Sequence, residues 1–118
     1  MISGIGIDII ELERIQKAVL RNERFIDRIL TKREKERYAG LKKEQRKLEF
    51  LAGRFAAKEA FAKATGKGIG KLSFQHIEIL PSSEGAPVLT VTGYDPEKIF
   101  ISISHSKQYA VAQVVITI

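Results

Sequence analysis

Cysteine is absent from the 118 residues, so the chain has no disulfide framework, no thiolate metal site and no cysteine nucleophile. That absence fits a reducing, cytoplasmic setting. Long apolar runs are also missing: the longest uncharged stretch, Gln108 to Ile118, is too short to cross a bilayer as a helix, and no membrane association is expected. Asp8, Glu11 and Glu13 stand where the apolar core of a secretory signal would lie, so none is expected either. No repeat, linker or low-complexity segment interrupts the sequence, which predicts a single domain over residues 1–118. A domain of this size buries roughly two-thirds of its unfolded surface.

What is present is positive charge. Lys and Arg number 20 against 14 Asp and Glu, a net +6. Residues 14–47 hold 13 Lys/Arg against 5 Asp/Glu, a balance of +8, while the remainder holds 7 against 9. A cationic third on a slightly acidic body attracts anionic partners: nucleic acid, anionic lipid, phosphorylated cofactors or an acidic protein.

Hydrophobic periodicity predicts an α+β fold with helices first and antiparallel strands later. Residues 2–7 alternate, with Ile5, Ile7 and Ile9 on one parity and Gly4, Gly6 and Asp8 on the other. The glycine face carries no side chain before Asp8, so another element can approach that backbone closely. From Asp8 to Ala39 there is no Gly or Pro, and Leu12, Ile15, Val19, Ile26 and Ile29 approximate one helical stripe. Thr31-Lys-Arg-Glu34 has capping-box spacing and starts a new helix that Gly40 ends. A third helix runs from about Glu44 to Thr65, with Gly66 as its C-terminal stop. Phe74–Leu80, Val88–Thr92, Phe100–His105 and Tyr109–Ile118 read as strands in two hairpins, the last apolar enough to be central.

Three groups of residues are candidates for chemistry. Asp8 lies before a predicted helix with D-x-x-E spacing to Glu11, which suits an N-cap. Glu59 has i,i+4 spacing to Lys63, which suits an exposed ion pair. Around Glu59, however, Phe55, Ala56, Ala57, Ala60, Phe61, Ala62 and Ala64 make the helix apolar on nearly every side. A carboxylate there is expected to be partly buried and to need a cation or a metal. Asp8 and Glu59 together would suit Mg²⁺, which takes one or two carboxylates and completes its shell with water and phosphate oxygens.

Arg54, Lys58 and Lys63 stand near Glu59 in sequence, followed by Lys67 and Lys71 in Gly66-Lys-Gly-Ile-Gly-Lys71, which is not a Walker A loop. The second group is Ser102-Ile-Ser104-His105-Ser106, read either as a polar strand end or as an anion contact at the mouth of a sheet. Adjacent strand residues point oppositely, and there is no G-x-S-x-G, which argues against a Ser-His hydrolase. The third is Arg14, Lys17, Arg21, Arg24 and Arg28, spaced 3, 4, 3, 4 as one cationic helix stripe. An acidic helix lying alongside would relieve its mutual repulsion. Nucleic-acid binding is the rival use of this charge, but no RRM or zinc-finger signature accompanies it and aromatic residues are sparse there, so no nucleic-acid partner is expected.

Gly4-Ile-Gly-Ile-Asp8, Gly53-Arg-Phe-Ala-Ala-Lys-Glu-Ala-Phe61, Gly66-Lys-Gly-Ile-Gly70, Leu72-Ser-Phe-Gln-His-Ile-Glu78 and Ser102-Ile-Ser-His105 span the chain. Together they resemble the holo-[acyl-carrier-protein] synthases, the small bacterial branch of the 4′-phosphopantetheinyl transferase superfamily. The resemblance implies that family's fold and a cytoplasmic, Mg²⁺-dependent transfer of 4′-phosphopantetheine from coenzyme A to a serine of apo acyl carrier protein. It also implies release of 3′,5′-ADP and a place in fatty acid synthesis. Asp8 and Glu59 match the Mg²⁺ ligands. For that chemistry Glu59 and Lys63 are the expected catalytic residues, with Glu59 the candidate for taking the serine proton directly or through a metal-bound water. Lys63 matches the motif lysine near the phosphates, His105 with Ser104 and Ser106 matches the coenzyme-binding strand, and Arg14, Arg21 and Arg24 match the helix that docks the carrier protein. Arg54 and Lys67, basic and near in sequence, are expected to join the coenzyme A contacts. The family assembles as a homotrimer with active sites between subunits. Larger relatives carry D-x-E for the metal, whereas Ile10 fills the second acidic place here, which points to the short trimeric branch with water in the vacant position.

Overall fold

The computed structural model describes residues 1–69 and 73–118, so Gly70, Lys71 and Leu72 of the glycine-spaced loop lie outside the described residues. The chain runs β1 (Ile2–Glu11), α1 (Leu12–Arg21), α2 (Arg24–Ile29), α3 (Lys32–Gly40), α4 (Glu44–Thr65), β2 (Ile77–Pro81), β3 (Pro87–Val91), β4 (Ile99–His105) and β5 (Tyr109–Thr117). Single 3₁₀ turns cover Phe74–His76 and Pro96–Lys98. The α+β expectation holds. All strand pairs are antiparallel, in one three-stranded sheet of order β1-β5-β4 and one hairpin of β2 and β3. The apolar last strand is central, as its composition predicts.

Helix α4 has the predicted bounds and lies across the larger sheet. Ala52, Ala56, Ala57 and Ala60 are fully buried there, small enough to bring the helix backbone close. On the strand side the fit depends on glycine: a Cβ at Gly4 would overlap the Ala64 carbonyl oxygen, and one at Gly6 the Ala60 carbonyl oxygen. The helix thus occupies the side of β1 that carries Gly4 and Gly6. The isoleucines on the opposite parity stay uncovered, with Ile5 57%, Ile7 57% and Ile9 62% exposed. By register they share that bare face with Val111 and Val115 of β5 and with Phe100, Ser102 and Ser104 of β4.

Several boundaries differ from the sequence reading, and β1 runs past Asp8 to Glu11. The stretch after Asp8 is not one helix: Asn22 and Glu23 separate α1 from α2, and the Asn22 side-chain oxygen accepts from the Arg24 backbone N–H at 3.0 Å. Asparagine competes for local backbone donors in this way and breaks helices without Gly or Pro. The strand expected from Phe74 begins only at Ile77, because Ser73 caps a 3₁₀ turn through the Gln75 N–H. The capping box at Thr31 forms in full. Phe55 of α4 packs against Phe25 at 6.2 Å and Phe74 at 5.5 Å between ring centroids, tying α2 and the 3₁₀ turn to the long helix.

Candidate active site

The glycine contact that seats α4 on β1 also positions the site. Ala60 and Ala64 lie against Gly6 and Gly4, so the preceding residues of the same turns, Glu59 and Lys63, sit over the edge of the strand. Asp8 is not an N-cap. It lies inside β1 on the helix-facing side, while Glu11 holds the cap position of α1 with no side-chain hydrogen bond. Lys63 spans the gap instead: its Nζ donates to Asp8 Oδ1 at 2.9 Å and to the Ile7 carbonyl oxygen at 3.0 Å. The exposed Glu59–Lys63 pair suggested by i,i+4 spacing therefore gives way to an ion pair between helix and strand.

Glu59 is half-buried, as its apolar surroundings predict. Burial pushes its carboxyl above the usual range, the charge of Asp8 pushes it further, and Lys63 pulls it back. The two carboxylates thus feel one another across the strand–helix contact. Among the described residues no group of three or more His, Asp or Glu gathers, so this pair offers a cation two protein ligands and no closed cage. That donor set fits Mg²⁺, which keeps most of its shell for water and substrate phosphate.

Two of the basic residues near Glu59 in sequence point elsewhere. Lys58 is fully buried and donates to Glu34 Oε1 at 2.6 Å, the Ile29 carbonyl at 2.6 Å and the Phe74 carbonyl at 3.1 Å. It is a structural group, and Glu34, expected only as the far member of a capping box, is its buried counter-ion. The argument from apolar neighbours that singles out Glu59 applies equally to Lys58, whereas the charged segment around Glu34 gives no sign of its burial. Arg54 lies about 140° round the helix from Glu59 at 100° per residue. Its Nε donates to the Ile79 carbonyl at 3.3 Å, and its guanidinium packs over the Phe50 ring at 4.1 Å. Burial, opposed by Glu34 and reinforced by Arg37, lowers its pKa to about 10, so it is still cationic at neutral pH. It lines an open groove of about 740 Å³ with Arg33, Arg37 and Leu80.

The remaining candidates flank the pair at a distance. Lys67 is exposed, one turn beyond Lys63, with its ammonium 5.8 Å from the Tyr94 ring centroid. Ser104 and His105 end β4, the far edge strand, with Ser104 on the bare face and His105 on the helix side. Ser106 does not continue the strand face: its hydroxyl accepts from the Tyr109 N–H at 3.2 Å in the β4–β5 turn. Arg14 and Arg21 are exposed on α1, and Arg24 begins α2, so the cationic stripe is divided by the Asn22 break. Lys17 pairs with Glu13 at 3.0 Å, whereas among the described residues Arg14, Arg21 and Arg24 have no carboxylate within ion-pair distance.

Residues 4–117 match the 4′-phosphopantetheinyl transferase superfamily. A holo-[acyl-carrier-protein] synthase of Oceanobacillus iheyensis is 59% identical over 116 residues, covering 98% of this chain and 97% of that protein. A crystal structure of the Bacillus anthracis synthase in complex with coenzyme A (3′,5′-ADP) superposes with a TM-score of 0.89 at 52% identity, covering 98% of this chain and 96% of that one. The Helicobacter pylori synthase in complex with coenzyme A superposes with a TM-score of 0.83 at 37% identity, covering 96% and 99%.

Proposed function

Because the chain belongs to the 4′-phosphopantetheinyl transferase superfamily, in its holo-[acyl-carrier-protein] synthase branch, we propose that it moves 4′-phosphopantetheine from coenzyme A to a serine of apo acyl carrier protein. The product is holo carrier for fatty acid synthesis, and 3′,5′-ADP is released. The observation that carries this reading is the convergence of Asp8, Glu59 and Lys63 where α4 crosses β1. The serine Oγ attacks the β-phosphorus, the bond from that phosphorus to the bridging oxygen breaks, and the 5′-phosphate of 3′,5′-ADP leaves with the electron pair. Phosphoryl-type transfer asks mainly for positioning and charge neutralisation. Asp8 and Glu59 would hold a Mg²⁺ ion, which supplies charge neutralisation on the diphosphate. Lys63, exposed enough to swing, neutralises the adjoining phosphate oxygens. Glu59 takes the serine proton, directly or through water.

The proposed coenzyme A contacts fall on two edges of one sheet. Asp8 and Lys63 lie at the β1 edge and His105 and Ser104 at the β4 edge, with β5 between them, a span of roughly 10 Å at about 4.8 Å per strand. A second copy presenting its β4 edge to the first copy's β1 edge would complete the site. The uncovered Ile5, Ile7, Ile9 and Phe100 supply an apolar surface for such contacts. This favours the homotrimer, which sedimentation equilibrium reads directly; a monomer at working concentration would overturn it. A cytoplasmic location is consistent with the cysteine-free sequence.

Incubation with coenzyme A, Mg²⁺ and apo acyl carrier protein tests the reaction: the carrier should gain the mass of one phosphopantetheine, and no gain rejects the assignment. Reversing Arg14, Arg21 and Arg24 to Glu should raise the KM for carrier protein on the order of a hundredfold, since repulsion replaces attraction at the docking face. The KM for coenzyme A should move little. Equal changes in both constants would refute the docking role.

A further inference from the structure

The contact between Lys63 and Asp8 contributes little to holding the fold together. The lysine side chain is 54% exposed, and ion pairs with that much solvent add little stability. Its geometry is nevertheless specific. The ammonium takes one carboxylate oxygen and one backbone carbonyl, Asp8 Oδ1 and Ile7 O, both hard oxygen donors of the kind a divalent ion uses. One turn before it on the same helix stands Glu59, whose carboxyl also feels the lysine charge. One cation therefore contacts Asp8 directly and makes its charge felt at Glu59.

We infer that Lys63 occupies the divalent ion's place on Asp8 in the free enzyme, and that coenzyme A opens the site by drawing the ammonium onto its diphosphate. The inference rests on the proposed ion site at Asp8 and Glu59. A divalent ion arriving first must break the ammonium's contact with Asp8 or sit beside a fixed positive charge. A diphosphate arriving first offers Lys63 more strongly charged acceptors, and the exposed side chain can turn toward them without losing buried contacts. Lys63 then leaves Asp8 as a free carboxylate beside Glu59. Coenzyme A and the ion thereby favour one another's binding beyond their direct contact, and the coupling is reciprocal.

Mn²⁺ titration followed by electron paramagnetic resonance tests this without turnover, using wild type, Lys63→Met and Lys63→Gln, each with and without saturating coenzyme A. Binding of Mn²⁺ to coenzyme A alone is subtracted. Without coenzyme A, both variants should bind Mn²⁺ about tenfold more tightly than wild type, because an opposing unit charge has gone. With coenzyme A, the three affinities should converge to within about threefold, because the wild-type ammonium has moved off Asp8. Variants that bind no more tightly than wild type without coenzyme A, while all three bind with it, overturn the inference and leave the ion site standing. A tenfold gain that persists unchanged with coenzyme A overturns displacement in favour of plain repulsion. Failure of all three to bind Mn²⁺ in any condition rejects the ion site itself, and the inference with it.

Discussion

Glu59→Gln should lower the rate of phosphopantetheine transfer by about a thousandfold or more, since it removes both an anionic ligand and a proton acceptor, and general-base loss alone is worth about 10²–10⁴. The amide keeps the shape of the side chain but carries no charge for a cation and cannot take the serine proton. Folding should be untouched. Glu59 is half-buried, its charge is opposed by burial and by Asp8, and the ion pair at this contact is made by Lys63. Neutralising it relieves those two penalties. The measurement is a single-turnover assay with saturating coenzyme A, reading carrier mass against time, beside a thermal melt. Transfer within tenfold of wild type, with Mg²⁺ present and an unchanged melt, would reject both roles of Glu59.

The parts of this site visible in the sequence are those fixed by local rules. Parity alone shows that Gly4 and Gly6 share a face with Asp8, and that face is where the helix seats. The bounds of α4 follow from its apolar content and from Gly66, which adopts the left-handed conformation at the helix end. Glu59 stands out because a carboxylate among alanines and phenylalanines needs a reason. What local rules cannot show is pairing across space. D-x-x-E spacing makes Asp8 look like a cap because it stands just before a predicted helix, whereas pairing with β5 extends β1 to Glu11. The i,i+4 rule gives Lys63 to Glu59, yet the close approach of β1 offers a better-placed carboxylate and a carbonyl. The division of the arginine stripe rests on one side-chain hydrogen bond at Asn22, a residue compatible with a helix interior. The separation of His105 from Asp8 is a matter of strand order, which no periodicity encodes.

The largest stability effect is expected at Glu34, far from any substrate. Its Oε1 accepts from Lys58 Nζ at 2.6 Å and from the Thr31 N–H at 2.8 Å, and its Oε2 accepts from the Ile79 N–H at 2.7 Å. Both charged side chains are fully buried, and their network joins the start of α3, the middle of α4 and strand β2. Burial lowers the lysine pKa, and Glu34 opposes that shift by its charge and hydrogen bond. Glu34→Ala removes that compensation and leaves an ammonium and two backbone N–H groups without their acceptor. Breaking a buried pair from one side costs about 3–5 kcal/mol. For a chain of this length that is a fall in Tm of roughly 10–25 °C. Melts must be compared at one protein concentration, because self-association would shift them together. Lys58→Met alone should also destabilise, since Glu34 would then be the uncompensated charge. The double variant Glu34→Leu with Lys58→Met should lose less than the sum of the two single losses, because the second change removes a charge the first left stranded. Simple additivity in that cycle, or a Glu34→Ala melt within a few degrees of wild type, would show that the pair is not what locks α3 and β2 to the helix carrying Glu59.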